Sequence, residues 1–154
     1  MRDHVFKPAG MTRTDSLPES EAVAGRSVGY MGGAGAWRPN TDTLPWRGTS
    51  AGGGYSTVED LVRFAQALVA LKLLDAAHTG KVAATRGASK YAYGFGDYTA
   101  GGVRWFGHGG GAPGMNGELR IFPESGYAVA ILANLDPPAA SRLAEFLTER
   151  LPAK

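Results

Sequence analysis

Apolar and polar positions alternate with different periods along the chain, and three stretches emerge. The clearest is residues 56–74, where Val58, Leu61, Val62, Ala65, Leu68 and Val69 recur at steps of three and four. That period places them on one buried face of a helix, with Asp60, Arg63 and Gln66 on the other side. Ser56 followed three residues later by Glu59 has the form of a capping box, so the helix is expected to start at Ser56. Beyond residue 90 the period shortens to two. Tyr91–Tyr98 is aromatic and β-prone, Ala100-Gly101-Gly102 reads as a turn, and Val103–Phe106 as the returning strand. His108 to Gly117 reads as a glycine loop. Glu118–Phe122 alternates like a half-buried strand, Pro123-Glu124-Ser125-Gly126 is a turn, and Tyr127–Ala133 is an almost continuous apolar run, as in a central strand. Asp136-Pro137-Pro138 then stops the sheet. A last helix follows, with Ala140, Leu143, Ala144, Leu147 and Leu151 on one face. Arg142, Glu145, Glu149 and Arg150 lie mostly off it.

The first 57 residues show few periodic apolar positions. Gly, Pro, Ser and Thr dominate, and Pro8, Pro18, Pro39 and Pro45 punctuate the stretch. A long irregular segment in a compact domain is usually functional or incomplete. Trp37 and Trp46 lie among these prolines and are expected to anchor the segment to the core. Residues 75–90 read as a loop with a short helical turn. The order is irregular segment, helix, antiparallel sheet, helix. Strands and helices do not alternate, so the fold class is α+β.

Composition narrows the function classes. A length of 154 residues predicts one domain, and 44% hydrophobic residues argue against disorder over most of it. The 23 glycines are about twice the usual share, without a Gly-X-Y period. Cysteine is absent, which removes disulfide scaffolds, Cys-based zinc sites and thiol nucleophiles. Sixteen basic residues against fourteen acidic ones are scattered, unlike a phosphate-tracking surface, so no nucleic-acid partner is expected. No apolar stretch approaches the ~18 residues of a membrane span, and Met1–Phe6 has no apolar core of a signal peptide.

Candidate chemistry concentrates in Phe106-Gly107-His108-Gly109-Gly110-Gly111-Ala112-Pro113-Gly114, with five glycines and one histidine within eight residues. Glycine admits close approach of a ligand. Main-chain amides there can face an anion or a developing oxyanion, and a histidine can relay a proton. The same residues also read as a flexible hairpin connection with a surface histidine. No Gly-x-x-x-x-Gly-Lys-Ser/Thr is present and no helix starts after the glycines, which argues against a phosphate loop. Gly25-Arg26-Ser27-Val28-Gly29 matches a nucleophile elbow in letters, yet poor helix formers follow it. His4, His78 and His108 lack metal-ligand spacing, so no metal and no cofactor are expected.

Trp105-Phe106-Gly107-His108-Gly109-Gly110-Gly111-Ala112-Pro113-Gly114, followed by strands ending Val129-Ala130-Ile131-Leu132-Ala133-Asn134, resembles the C-terminal part of the β-lactamase-related serine hydrolases. This family includes class C β-lactamases, penicillin-binding peptidases and esterases. Ser50–Phe64 looks like the family's glycine turn and capped helix, and Val5–Met11 resembles the segment after its second motif. The resemblance implies an antiparallel sheet flanked by helices, as part of a β-lactamase/transpeptidase-like fold over residues 1–154, with 1–55 as an irregular cleft wall. It implies that His108-Gly109-Gly110 is the third active-site motif and that the Gly111 N–H forms half of an oxyanion hole. The substrate would be a small ester, lactam or peptide. No serine here has Lys three residues on, and no tyrosine has Asn two residues on. The family's Ser-x-x-Lys and Tyr-x-Asn would then lie upstream, and this chain alone would be inactive. A different reading of the same sequence is a non-catalytic binding or self-associating module, because half a fold leaves apolar faces for a second copy in a homodimer, or a missing N-terminal portion, to cover. Localisation stays open.

Overall fold

The computed structural model describes residues 1–33, 35–85 and 89–151. Its centre is a four-stranded antiparallel sheet in the order β3-β4-β5-β6, formed by Gly96–Ala100, Val103–Ala112, Met115–Phe122 and Tyr127–Ala133. Side chains alternate across the strands. Phe106, Leu119 and Ile121 therefore share one face, and helix α2 (Val58–Val69) packs Ala65 and Leu68 against them. Phe106, Leu68 and Ile121 are each 2% exposed, and burial of such a side chain is worth about 1.5–3 kcal/mol. Helix α4 (Ala139–Thr148) covers the opposite face and buries Ala140 and Ala144 completely. Helix α3 (Ala76–Ala83) occupies part of the stretch expected to be a loop, capped by the Asp75 carboxylate on the His78 amide. At the N-terminus a helical turn, Arg2–Phe6, leads into α1 (Lys7–Ala9), which packs on α2. Tyr30–Met31 (β1) and Arg38–Pro39 (β2) pair as a small ribbon. No helix among the described residues is long and apolar enough to cross a membrane.

Several local expectations change. Thr57, not Ser56, caps α2: its hydroxyl accepts from the Asp60 amide at 3.2 Å, while Ser56 is drawn to Thr14 at 2.8 Å. The helix stops at Val69 because Leu71 adopts φ 59°, and the Leu71 and Lys72 amides bond back to Leu68 and Ala67. These two bonds form a Schellman closure. Asp60, expected on the solvent side, is fully buried. It receives the Arg13 amide at 2.7 Å, the Thr14 hydroxyl at 2.8 Å and the Arg63 guanidinium at 2.7 Å. Val58 and Val69, expected inside, are exposed, as is Leu143 of α4. Trp37 and Trp46 are 49% and 69% exposed and anchor little. Polar links fix the irregular segment instead.

The stretch His108–Gly117 is not a loop. β4 runs to Ala112 and β5 starts at Met115, so only Pro113-Gly114 turn the chain. The pairs His108↔Leu119, Gly109↔Glu118, Gly110↔Gly117 and Gly111↔Asn116 continue the register set by Phe106↔Ile121. Glycine is a poor strand former alone, and here the neighbouring ladder imposes the conformation.

Candidate active site

The residues singled out by motif, His108, Gly109, Gly110 and Gly111, follow one another on the second half of β4. Two edges define their surroundings. One is fully paired with β5. On the other, β3 pairs only as far as Gly96↔Gly107, so from His108 to Ala112 no strand lies alongside among the described residues. A row of main-chain donors and acceptors is thereby open to an extended ligand.

The two faces of this segment differ. On the α4 face a Cβ at Gly109 would meet the Glu118 carboxylate at 2.4 Å, and one at Gly111 would meet Pro137 at 2.3 Å. The Pro137 ring leaves no room for a side chain at Gly111, and at Gly109 one would require the Glu118 side chain to move. On the opposite face no atom of the described residues lies within 4 Å of where a Gly110 Cβ would stand. His108 is on that open face and is exposed. Its ring meets the edge of Tyr91, with centroids 5.9 Å apart and planes at 74°. Tyr91 is 50% exposed and held near β3 by a bridge to Gly96. A histidine and a phenol thus flank an open, glycine-lined strand edge, which suits proton transfer beside a main-chain anion site.

The irregular segment supports the tip of this hairpin. Asn40 is 2% exposed and donates to the Pro113 carbonyl at 2.9 Å. Asp136, just past β6, accepts the Gly114 amide at 2.8 Å and the Gly32 amide at 2.9 Å. These two bonds hold its carboxyl below the usual carboxylate range. Asn134 donates to the Val28 carbonyl at 3.0 Å, and its own carbonyl accepts from the Tyr30 amide at 2.9 Å. Asp60 ties residues 13–14 to α2 in the same manner. Burial would raise its carboxyl, but the Thr14, Arg13 and Arg63 hydrogen bonds outweigh that and lower it.

Ser27 is exposed in irregular chain, with neither a strand before it nor a helix after it, so the elbow geometry is absent. His4 sits in the first helical turn and His78 pairs with Asp75; neither adjoins a further titratable cluster that could hold a metal among the described residues. Tyr91, Asn40 and Asp136 carry no sequence motif. Only the Pro113-Gly114 turn signal could have pointed to a hairpin tip in need of partners.

An antiparallel sheet with helices on both faces is the α+β arrangement of a β-lactamase/transpeptidase-like fold. Comparison with known proteins agrees: the family model described as "Beta-lactamase" matches residues 1–154, and the chain belongs to the β-lactamase family. Penicillin-binding protein 4 of Amycolatopsis lactamdurans is 30% identical over 153 residues, covering 87% of this chain and 40% of that protein. The crystal structure of a penicillin-binding protein from Bacillus halodurans superposes with a TM-score of 0.83 at 27% identity, over 96% of this chain and 48% of that one. An octameric penicillin-binding protein homologue from Pyrococcus abyssi shares the fold, with a TM-score of 0.76 at 23% identity, over 96% of this chain and 36% of that one. The chain therefore spans less than half the length of each of these proteins.

Proposed function

We propose that this chain forms the third-motif wall of a serine hydrolase that cleaves an ester, lactam or peptide amide through an acyl-serine. The free edge of β4 from His108 to Ala112 carries this reading. An extended substrate lies along that edge and exchanges main-chain hydrogen bonds with it. A serine Oγ, supplied by a region outside this sequence, bonds to the substrate carbonyl carbon. The carbonyl oxygen becomes an oxyanion facing the Gly111 N–H, and the bond to the leaving nitrogen or oxygen then breaks. His108 assists the proton's passage to the leaving group or binds the acyl side, with Tyr91 fixing the ring. Gly110 must stay bare, because a side chain there would enter the space the substrate fills. An oxyanion donor without its nucleophile gives little turnover. Nitrocefin and p-nitrophenyl esters should accordingly show no hydrolysis above background with the isolated chain. Turnover that disappears in Ser27→Ala would overturn the assignment.

One observation favours a second reading, a self-associating module. Strand β6 is apolar yet ends the sheet among the described residues, and an open groove of about 560 Å³ follows its outer edge. Val58 and Val62 of α2, Ala128 to Ala130 of β6 and Leu147 of α4 line it. Apolar edge strands invite pairing with a further strand. The octameric state of the Pyrococcus abyssi homologue supports the same reading. Sedimentation equilibrium separates the two: a compact monomer at micromolar concentration removes the self-associating module.

A further inference from the structure

We infer that Asn116 is a positioning residue that locks the His108–Gly111 strand to the first turn of α4. The inference rests on the reading of that strand as an oxyanion wall. Asn116 faces Gly111 across the β4–β5 ladder and is 7% exposed. Its Oδ1 accepts the Ala140 amide at 2.7 Å and the Ser141 amide at 3.3 Å. Helix α4 has Pro138 at its N-cap position with no side-chain cap of its own. Asn116 is therefore the cap, supplied from a strand rather than from the helix's own sequence. Because Oδ1 is committed to two N–H donors, the amide can only be oriented one way. Its Nδ2 then donates to the Gly110 carbonyl at 2.8 Å. The same nitrogen lies 3.4 Å from where a Gly111 Cβ would stand, so it also floors the next residue.

The consequence is a mechanical link. Gly110 and Gly111 have no side chains to fix their peptide planes, and β3 does not reach them. β5 holds one edge through the ladder. Asn116 adds a bond from the α4 face, fixing the Gly110–Gly111 peptide, whose N–H is the Gly111 donor. A donor that must face a transition-state oxyanion has to be held before the reaction begins. The Asn116 amide satisfies that demand by joining a helix terminus and a strand carbonyl through one buried side chain.

Asn116→Asp separates the two contacts. A carboxylate keeps the acceptor for the α4 amides, where a negative charge is favoured, but loses the donor to Gly110. In the isolated chain, amide hydrogen exchange over residues 108–112 should rise about tenfold in Asn116→Asp, while α4 keeps its protection. The Gly110 carbonyl carbon resonance should shift as its hydrogen bond is lost. Asn116→Ala should expose both elements. Unchanged exchange at 108–112 in Asn116→Asp would reduce Asn116 to a helix cap and overturn the inference. Should that variant not fold, the wild-type chain decides: a through-hydrogen-bond coupling between Asn116 Nδ2 and the Gly110 carbonyl carbon supports the link, and its absence overturns it. None of these readouts needs turnover. A chain with an intact Asn116–Gly110 bond whose completed protein performs no acyl transfer would refute the oxyanion reading and leave the link standing.

Discussion

The sheet with its two helices and the first 57 residues differ in what mainly holds them in place. In the sheet, Phe106, Leu119 and Ile121 meet Ala65 and Leu68 in an apolar core. The irregular segment adds a small apolar contact of Ala9 and Met11 with Ala67, but beyond it buried polar side chains, Asn40 within the segment and Asp60 on α2, join its main chain to distant residues. Apolar packing is non-directional and tolerates small shifts. A buried polar clamp has one geometry, and leaving it unsatisfied is costly. The segment that supports the hairpin tip is thus fixed by direction rather than by volume, which suits a cleft wall whose shape must be set without filling it.

The largest effect that tests this contrast is in the core. Phe106→Ala should cost about 3–5 kcal/mol, read as a loss of global stability in urea unfolding. Asp60→Ala should cost about 3 kcal/mol, because it strands the Arg13 amide, Thr14 and Arg63 together. Its signature is different: hydrogen exchange at residues 11–16 should rise well before exchange in β5. If both variants lose protection uniformly, the division into two modes of support fails.

Glycine variants sharpen the contrast within one strand. Gly111→Val drives a side chain into Pro137 and should destabilise by about 2 kcal/mol, seen as a lower midpoint in thermal unfolding. Gly110→Val points into empty space and should change stability by no more than about 0.5 kcal/mol. Equal losses at the two positions would mean that the open face is occupied in the folded chain.

The pH response is the mildest. Asp60 and Asp136 both hold their carboxyls below the ordinary value, Asp60 against the opposing effect of its burial and Asp136 through the Gly114 and Gly32 amides. A carboxyl lowered on folding contributes stability that is complete above about pH 5 and is lost as pH falls through the lowered value. Acidification should loosen residues 11–16 and 29–40 before the β5–β6 pairing, as followed by exchange at steps from pH 6 to pH 3. Simultaneous loss would place the acid-sensitive groups elsewhere.

Periodicity made the apolar half of this molecule readable. The helix around Leu61–Leu68, the alternation from Glu118 to Phe122 and the Ala140–Ala144 face all follow from side chains that must reach a core. Asp60 shows where that reading stops. On helix geometry alone it faces outward, and only its partner at Arg13–Thr14, some 47 residues earlier, makes it an inside residue. Glycine misleads for a related reason. His108–Gly117 has the composition of a loop, but the Phe106↔Ile121 register carries the ladder through it. His108, Gly109, Gly110 and Gly111 stand out in the sequence only through the resemblance to the family. Tyr91, Asn40, Asn116 and Asp136 do not stand out, because each acts through a contact distant in sequence and none falls at a recurring spacing.

On the proposed function, the His108–Gly111 edge serves a serine nucleophile that this sequence does not hold. Intact-protein mass spectrometry after incubation with benzylpenicillin tests it on two samples: the 154-residue chain, and the product of its genomic locus with the preceding in-frame codons included. The chain alone should gain no mass, and the longer product should gain one acyl adduct on a serine of a Ser-x-x-Lys. An adduct on the chain alone, or none on a longer product that carries Ser-x-x-Lys, would contradict the account.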